Sequence, residues 1–428
     1  MRLSSIDAGI TALFNQGRAY PLQALGWAVS LYLSFLILGI DWSAAWRSHG
    51  DLAVRGSAVL GRDFANVFTG GTLVLQGKLE TIYGLAAYQE YQTQLFADAV
   101  RYHNYSYTPI SFLYVWAFGL LPYLPSYLLW TALTGAAFAW AARPYLRDVG
   151  LPGWLALLLP ASLINVWAGH YGFLIGALWL GAWHLLDTRP RLAGLLIGLM
   201  VVKPHLAILI PLLLIRRRAW EPFATASMTV VVLALLSVFL FGTQPWVDFA
   251  TKTVGLQASM VDDVERFFVL MMPTVAPSLF RAGLSPTLVW PLQAATAAAA
   301  IFALWRRMPD NPRQAGLAAA CGTFLVLPYA FNYDMTVVGI ASLCLLRGDH
   351  YRSGGRFGAV ALVLCFLLPV LTLAMNRVGL PLAPVLIGYM FAVLLAPATG
   401  KAGVRPAPPA SLPQAGPVRP GSSSRLPI

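Results

Sequence analysis

A few polar groups stand out from an otherwise apolar chain: Asp63, His170, Lys203, His205, Asp334 and the acidic run Asp262-Asp263-Glu265. Side chains of these types can take up a proton, present a compact positive charge to an anion, or hold a hard cation through carboxylate oxygens. Each also has an ordinary use. An aspartate at the start of a helix, as expected at Asp63 and Asp334, is a good N-cap. A lysine near a span end often only reaches for water, and a lone histidine is often a satisfied structural group. The spacing of the acidic run fits no defined metal loop, so it reads as a solvated face and no metal site is expected.

The rest of the chain is built to sit in lipid. Of its 428 residues 58% are hydrophobic and only 11% charged, with a mean hydropathy of +0.66, which leaves too little polar surface to cover a soluble globule. The formal net charge is +12, but the arginines fall in short segments between apolar runs. That placement reports orientation across a membrane and not a nucleic-acid partner. Cys321, Cys344 and Cys365 lie inside apolar stretches and read as small buried hydrophobes, not as a disulfide framework.

The first apolar run, about Leu22 to Ile40, is long enough to cross a hydrocarbon core, and too long for the core of a cleaved signal peptide. Further runs fall at about 125–142, 153–168, 171–186, 192–202, 206–215, 222–241, 286–305, 314–330, 335–346, 357–374 and 380–396. Hydropathy therefore predicts about twelve spans. With the N-terminus in the cytoplasm, the short inner connections hold Arg143, Arg147, Arg189, Arg191, Arg216, Arg217, Arg218, Arg306, Arg307, Arg313, Arg347, Arg352 and Arg356, against only Lys203 and Arg377 in the short outer ones. This asymmetry fits the positive-inside rule.

Residues 192–215 could form one span or two, but Pro204 removes a backbone donor and a lysine at a bilayer centre costs about 2.5–3.5 kcal/mol, so a break at Lys203-Pro204-His205 is expected. Two outer loops are long, 41–124 and 242–285. The first holds interfacial stretches such as Ile110 to Leu121, too short to span unaided. Tyr102, Tyr105, Tyr107, Trp116 and Tyr123 can line a groove, but their first reading is as interfacial anchors. The expected organisation is a transmembrane domain over 1–397 and a disordered Pro/Ser-rich cytoplasmic tail over 398–428. The polar groups named above then gather at the outer surface. The inner connections hold no Gly-rich phosphate loop, so an enzyme of this build needs an activated substrate delivered within the membrane.

The stretch from Arg62-Asp63-Phe64 through Gly70-Gly71, with Leu75-Gln76-Gly77 and Ile82-Tyr83 after it, resembles the first outer loop of glycosyltransferase family 87, a branch of the GT-C superfamily. Tyr107-Thr108-Pro109 is similar to that family's Tyr-Pro-Pro segment, and Gly169-His170-Tyr171-Gly172 to its Gly-Gln-x-Asn segment. Lys203-Pro204-His205 is similar to its Lys-Pro-Gln or Lys-Pro-His turn, and Asn332-Tyr333-Asp334 to its later Tyr-Asp segment. The motifs run in order from about residue 60 to 347. The chain departs from them at His170 and Gly172, which stand in for the usual polar pair, and at Ile110 in place of a second proline.

The resemblance implies an all-α transmembrane bundle of GT-C type. It also implies inverting transfer of a sugar, mannose being the best-known, from a polyprenyl-phosphate donor to a lipid or glycan hydroxyl at the outer face of the inner (plasma) membrane, with both termini cytoplasmic. Such a reaction needs one general base and cations for the departing phosphate, and no cofactor; a glycoside hydrolase would need two facing carboxyl groups. By resemblance Asp63 is the base, just ahead of what reads as a Gly-Gly turn. Lys203, His205 and Arg266 suit the donor phosphate, while His170, Tyr107, Asn332 and Asp334 suit the sugar or acceptor. The competing function is a transporter or flippase of a lipid-linked sugar, which would also have many spans and a broken helix. The absence of an evident repeat and the one-sided polar groups argue against it.

Overall fold

The computed structural model describes residues 23–32, 47–49, 52–55, 58–97, 104–255, 267–348 and 355–396. Outside the described residues lie the second half of the first expected span, Tyr102, the Asp262-Asp263-Glu265 run with Arg266, Arg352 and the expected tail. The chain divides into two units, Met1–Leu395 and Ala396–Ile428, and the elements discussed here belong to the first.

Helices dominate. After α1 (residues 23–32) comes a small antiparallel sheet, β1 (Arg47–His49), β2 (Leu52–Arg55) and β3 (Ala58–Val59), with Arg47 opposite Val54 and Val54 opposite Val59. The first loop continues as α2 (Phe64–Leu75), α3 (Leu79–Ile82), α4 (Leu85–Phe96) and the single turn α5 (Phe112–Val115), flanked by 3-10 turns at Pro109–Ser111 and Trp116–Leu120. Further helices follow: α6 (Tyr123–Asp148), α7 (Pro160–Ala168), α8 (Gly172–Leu185), α9 (Pro190–Leu199), α10 (Ile210–Arg216) and α11 (Trp220–Phe241). Beyond the short α12 (Gln244–Asp248) and α13 (Val275–Arg281) come α14 (Pro286–Arg307), α15 (Pro312–Val326), α16 (Thr336–Arg347), α17 (Gly355–Arg377) and α18 (Leu382–Leu395).

Among the described residues three helices are long and apolar enough to cross a membrane: Trp220–Phe241, Pro286–Arg307 and Phe357–Arg377. In α11, Met228, Val232, Leu235 and Phe239 all stand exposed, Phe239 at 83%. A helix that is apolar all round and barely covered by its own protein is at home in lipid. Together with α14 this makes the chain a helical membrane protein. Several other apolar runs carry shorter helices, such as 172–185, 336–347 and 382–395.

The aromatic residues of the first loop do not form an interfacial belt. Tyr105, Tyr107 and Tyr123 are buried and Trp116 alone of the described group is well exposed. The phenols satisfy backbone carbonyls or side-chain oxygens: Tyr83 donates to Tyr107 O (2.8 Å), Tyr123 to Leu60 O (2.7 Å), and Tyr105 pairs with Ser111 Oγ (2.7 Å). Burial pushes the Tyr83 and Tyr105 phenols up, so they stay protonated. Gly70 and Gly71, read from sequence as a turn, lie inside α2. The reason is packing: a Cβ on Gly71 would run into the Val115 carbonyl, and one on Gly119 would meet the Gly71 carbonyl carbon at 2.6 Å. The glycines let α2 and the 116–120 turn touch backbone to backbone.

Several helices run from one cluster of polar contacts to another. At its start α6 is tied to the first loop by Tyr123, and at its end Asp148 pairs with Arg313 (2.7 Å). The 26 residues of α6 separate those ends by about 39 Å. Thr336 at the start of α16 donates to Gly172 O (2.9 Å), whereas Arg347 at its end reaches Val149 O. Arg217 pairs with Asp187 (3.7 Å) and donates to Asp310 O (2.8 Å), and Arg191 pairs with Glu221 (2.7 Å). The basic connections thus knit together at one end of these helices, while Asp63, His170 and Asp334 lie at the other.

Candidate active site

The helix between 190 and 216 is interrupted where expected. Residues 200–202 tighten into a 3-10 turn, Lys203 leaves helical geometry (φ −138°, ψ 68°), and Pro204 opens a second 3-10 turn. Proline lacks the N–H that would continue the ladder. The break aims Lys203 inward, where its ammonium lies 2.6 and 2.7 Å from the two oxygens of Asp334. Side-chain exposure is 5% for Lys203 and 0% for Asp334, so this is a buried ion pair. Its charge is matched before any ligand arrives.

Asp334 is placed by a 3-10 turn, Asn332–Asp334, between α15 and α16. Three bonds pin that turn. Phe331 N–H donates to Asp334 Oδ2 (3.4 Å), Asn332 Nδ2 to Pro369 O (2.9 Å), and Asn165 Nδ2 to Tyr333 O (3.1 Å). Gly172 brings α8 against the same turn, because a Cβ there would collide with Asn165 Nδ2 and the Tyr333 carbonyl. Asp334 therefore does not cap α16; it serves Lys203. Asn332, expected to face sugar or acceptor, ties the turn to α17.

His170 sits between α7 and α8. Gly169 ends α7 in the left-handed region (φ 66°), where glycine has no Cβ penalty, and the turn delivers the imidazole between Lys203 and the first loop. Its Nε2 is 2.8 Å from Tyr107 Oη and its Nδ1 is 3.5 Å from Lys203 Nζ. The ring stacks on Tyr333 (4.3 Å, 26°), which stacks on Phe331. Tyr107, His170, Lys203 and Asp334 thus form one continuous polar chain through an aromatic wall.

Asp63 precedes α2 as its N-cap residue, yet its side chain makes no capping bond. Its backbone N–H donates to Ala168 O (2.9 Å), fixing it beside the end of α7. Among the described residues no hydrogen bond or ion pair engages its carboxylate, which is only partly buried. It lies within electrostatic reach of Tyr107, Tyr333, Lys203 and Asp334. The structure accordingly brings Asp63, Tyr107, His170, Lys203 and Asp334 to one place. His205 flanks it, its ring 5.7 Å from Tyr329. Arg266 lies outside the described residues.

Arg62, Asn165 and Tyr333 also build the site, although the sequence alone does not single them out. The Arg62 guanidinium lies 4.3 Å over the Trp167 ring, next to Asp63 and in electrostatic contact with Tyr333. A signal for Arg62 was available in its adjacency to Asp63. Asn165, inside an apolar run, offered one only as the lone amide there.

The comparisons with known proteins agree with the motifs. The sequence pattern described as glycosyltransferase family 87 matches residues 105–328, just over half of the chain. The chain belongs to glycosyltransferase family 87. No curated protein and no solved structure matches it. The matched stretch of this family 87 glycosyltransferase contains Tyr107, His170, Lys203 and His205, while Asp63 and Asp334 reach the same site from either side of it. A glycosyltransferase takes a sugar from a donor to an acceptor, and a site with one unengaged carboxylate beside fixed polar groups suits that chemistry better than a hydrolase's facing pair.

Proposed function

We propose that this glycosyltransferase moves a hexose, mannose by family resemblance, from a polyprenyl-phosphate donor to a hydroxyl of a lipid or glycan acceptor, with inversion. The observation that carries the reading is the single Asp63 carboxylate, uncommitted among the described residues, next to a fixed wall of polar and aromatic groups. In the reaction the acceptor oxygen bonds to C1 of the sugar as the bond from C1 to the phosphate oxygen breaks. Asp63 takes the acceptor proton, and the polyprenyl phosphate leaves with the electron pair. One base suffices because a phosphate departs without full protonation.

The departing phosphate needs cations. Lys203 is committed to Asp334, so in this reading it holds the site's shape and leaves the phosphate to other cations. Arg62 is the group we place on the phosphate, since a guanidinium stacked on Trp167 is preorganised to offer its planar donors to an oxyanion. His205 and Arg266 are assigned to the same phosphate, and Tyr107, His170, Asn332 and Asp334 to the sugar and acceptor side, directly or by support. The knit basic connections at the far end of the bundle support, by the positive-inside rule, a cytoplasmic position for that end, and with it a site at the outer face of the inner membrane.

Purified protein in nanodiscs, given radiolabelled polyprenyl-phosphate-mannose and a membrane lipid extract, is expected to move label into a new lipid or glycan product. Arg62→Ala is expected to raise the KM for the donor about tenfold or more. Label crossing sealed vesicles with no covalent change would overturn the reading in favour of a flippase.

A further inference from the structure

The polarity of the chain Asp334, Lys203, His170, Tyr107 is fixed at one end. A lysine ammonium has only donors. Lys203 Nζ lies against both Asp334 oxygens and 3.5 Å from His170 Nδ1. A proton on Nδ1 would set an N–H, and in the imidazolium a second charge, against that ammonium in a buried setting. The lone pair must face Lys203, so the ring proton sits on Nε2 and donates to Tyr107 Oη at 2.8 Å. With its oxygen accepting from His170, Tyr107 has its own O–H left to give. The next acceptor within electrostatic reach is Asp63, with no direct bond between the two side chains among the described contacts.

We propose that His170 is a positioning residue whose neutral, Nε2-protonated ring, held by the Lys203–Asp334 pair, obliges Tyr107 to donate its hydroxyl proton into the space beside Asp63, where a sugar hydroxyl of the substrate accepts it. The inference rests on the glycosyl-transfer reading for its substrate, but the tautomer and the direction of the chain do not depend on it. Among the described residues the charged and titratable groups near the ring include Lys203, Asp334, Tyr107, Tyr333 and Tyr171, with Asp63 and Arg62 further off.

The test exploits a property of glutamine, whose amide carries an acceptor and a donor side by side as the neutral imidazole does, without titrating near neutrality. His170→Gln is expected to keep transfer within about tenfold of wild type. His170→Ala and Tyr107→Phe are expected to lower kcat about a hundredfold, with a smaller change in donor KM. Thermal unfolding of each variant in nanodiscs separates loss of function from loss of fold. Independently, 15N-histidine NMR of the full chain, with the His170 signal identified by its absence in His170→Gln, is expected to show Nε2 protonated and Nδ1 bare. An Nδ1-protonated ring, a folded His170→Gln as impaired as His170→Ala, or a Tyr107→Phe with unchanged kcat would each overturn the proposal. A wild-type protein without transfer activity but with the expected NMR signature would instead overturn the substrate reading and leave the hydrogen-bond direction intact.

Discussion

Asp63→Asn is expected to lower the rate of sugar transfer at saturating donor by about a hundredfold to ten-thousandfold, the range spanned by loss of a positioned general base. Asparagine keeps the size and shape of the side chain but has no lone pair basic enough to take the acceptor proton. Stability is expected to change by less than about 0.5 kcal/mol, since the native carboxylate makes no capping bond and the backbone bond from Asp63 N–H to Ala168 O is retained. Donor binding is expected to hold, so kcat falls while donor KM moves little. A rate of transfer by Asp63→Asn above about one third of wild type, measured as radiolabel entering product, would remove Asp63 from the chemistry.

The residue types at this site were legible in the sequence; the contacts among them were not. Asp63, His170, Lys203 and Asp334 each draw notice as polar groups in a chain that has few. Lys203 and Asp334 are 131 positions apart, however, and no local pattern says that they meet. Pro204 and the charge of Lys203 inside an apolar run locate the broken helix because both act within a few residues. The two glycines of α2 misled for the opposite reason. Gly70-Gly71 is a turn signal by local chemistry, but distant contacts, of Gly70 with Tyr105 and of Gly71 with Val115 and Gly119, demand small residues there within a helix. The aromatic residues of the first loop behaved likewise: their amphipathic rings suit a bilayer interface, yet nearby carbonyls gave the phenols of Tyr83 and Tyr123 buried partners. Asn332 reads as a ligand group, and the fold also uses its amide nitrogen to anchor a turn through Pro369 O. What escapes the sequence in each case is a contact made across the fold.

Removing one member of the Lys203–Asp334 pair is expected to be the most destabilising single change at this site. Lys203→Met leaves a carboxylate with no exposed side-chain surface facing a small cavity lined mainly by apolar groups such as Ile175, Leu206 and Phe324. Breaking a buried pair in this way costs about 3–5 kcal/mol, read as earlier unfolding on heating in nanodiscs. Asp334→Leu strands the ammonium and is expected to do similar harm. The double variant Lys203→Met with Asp334→Leu has no stranded charge and is expected to recover most of the lost stability, since hydrophobic replacement of a buried pair is often neutral. Its activity is expected to stay low, because the group that sets the direction of the His170–Tyr107 bond is gone. Stability and activity would then part company in one protein: the fold can do without the ion pair, and the reaction cannot. A double variant that regains both would show that the pair serves packing alone, and one that regains neither would show that the aromatic wall of Tyr333 and Phe331 depends on the charge beside it.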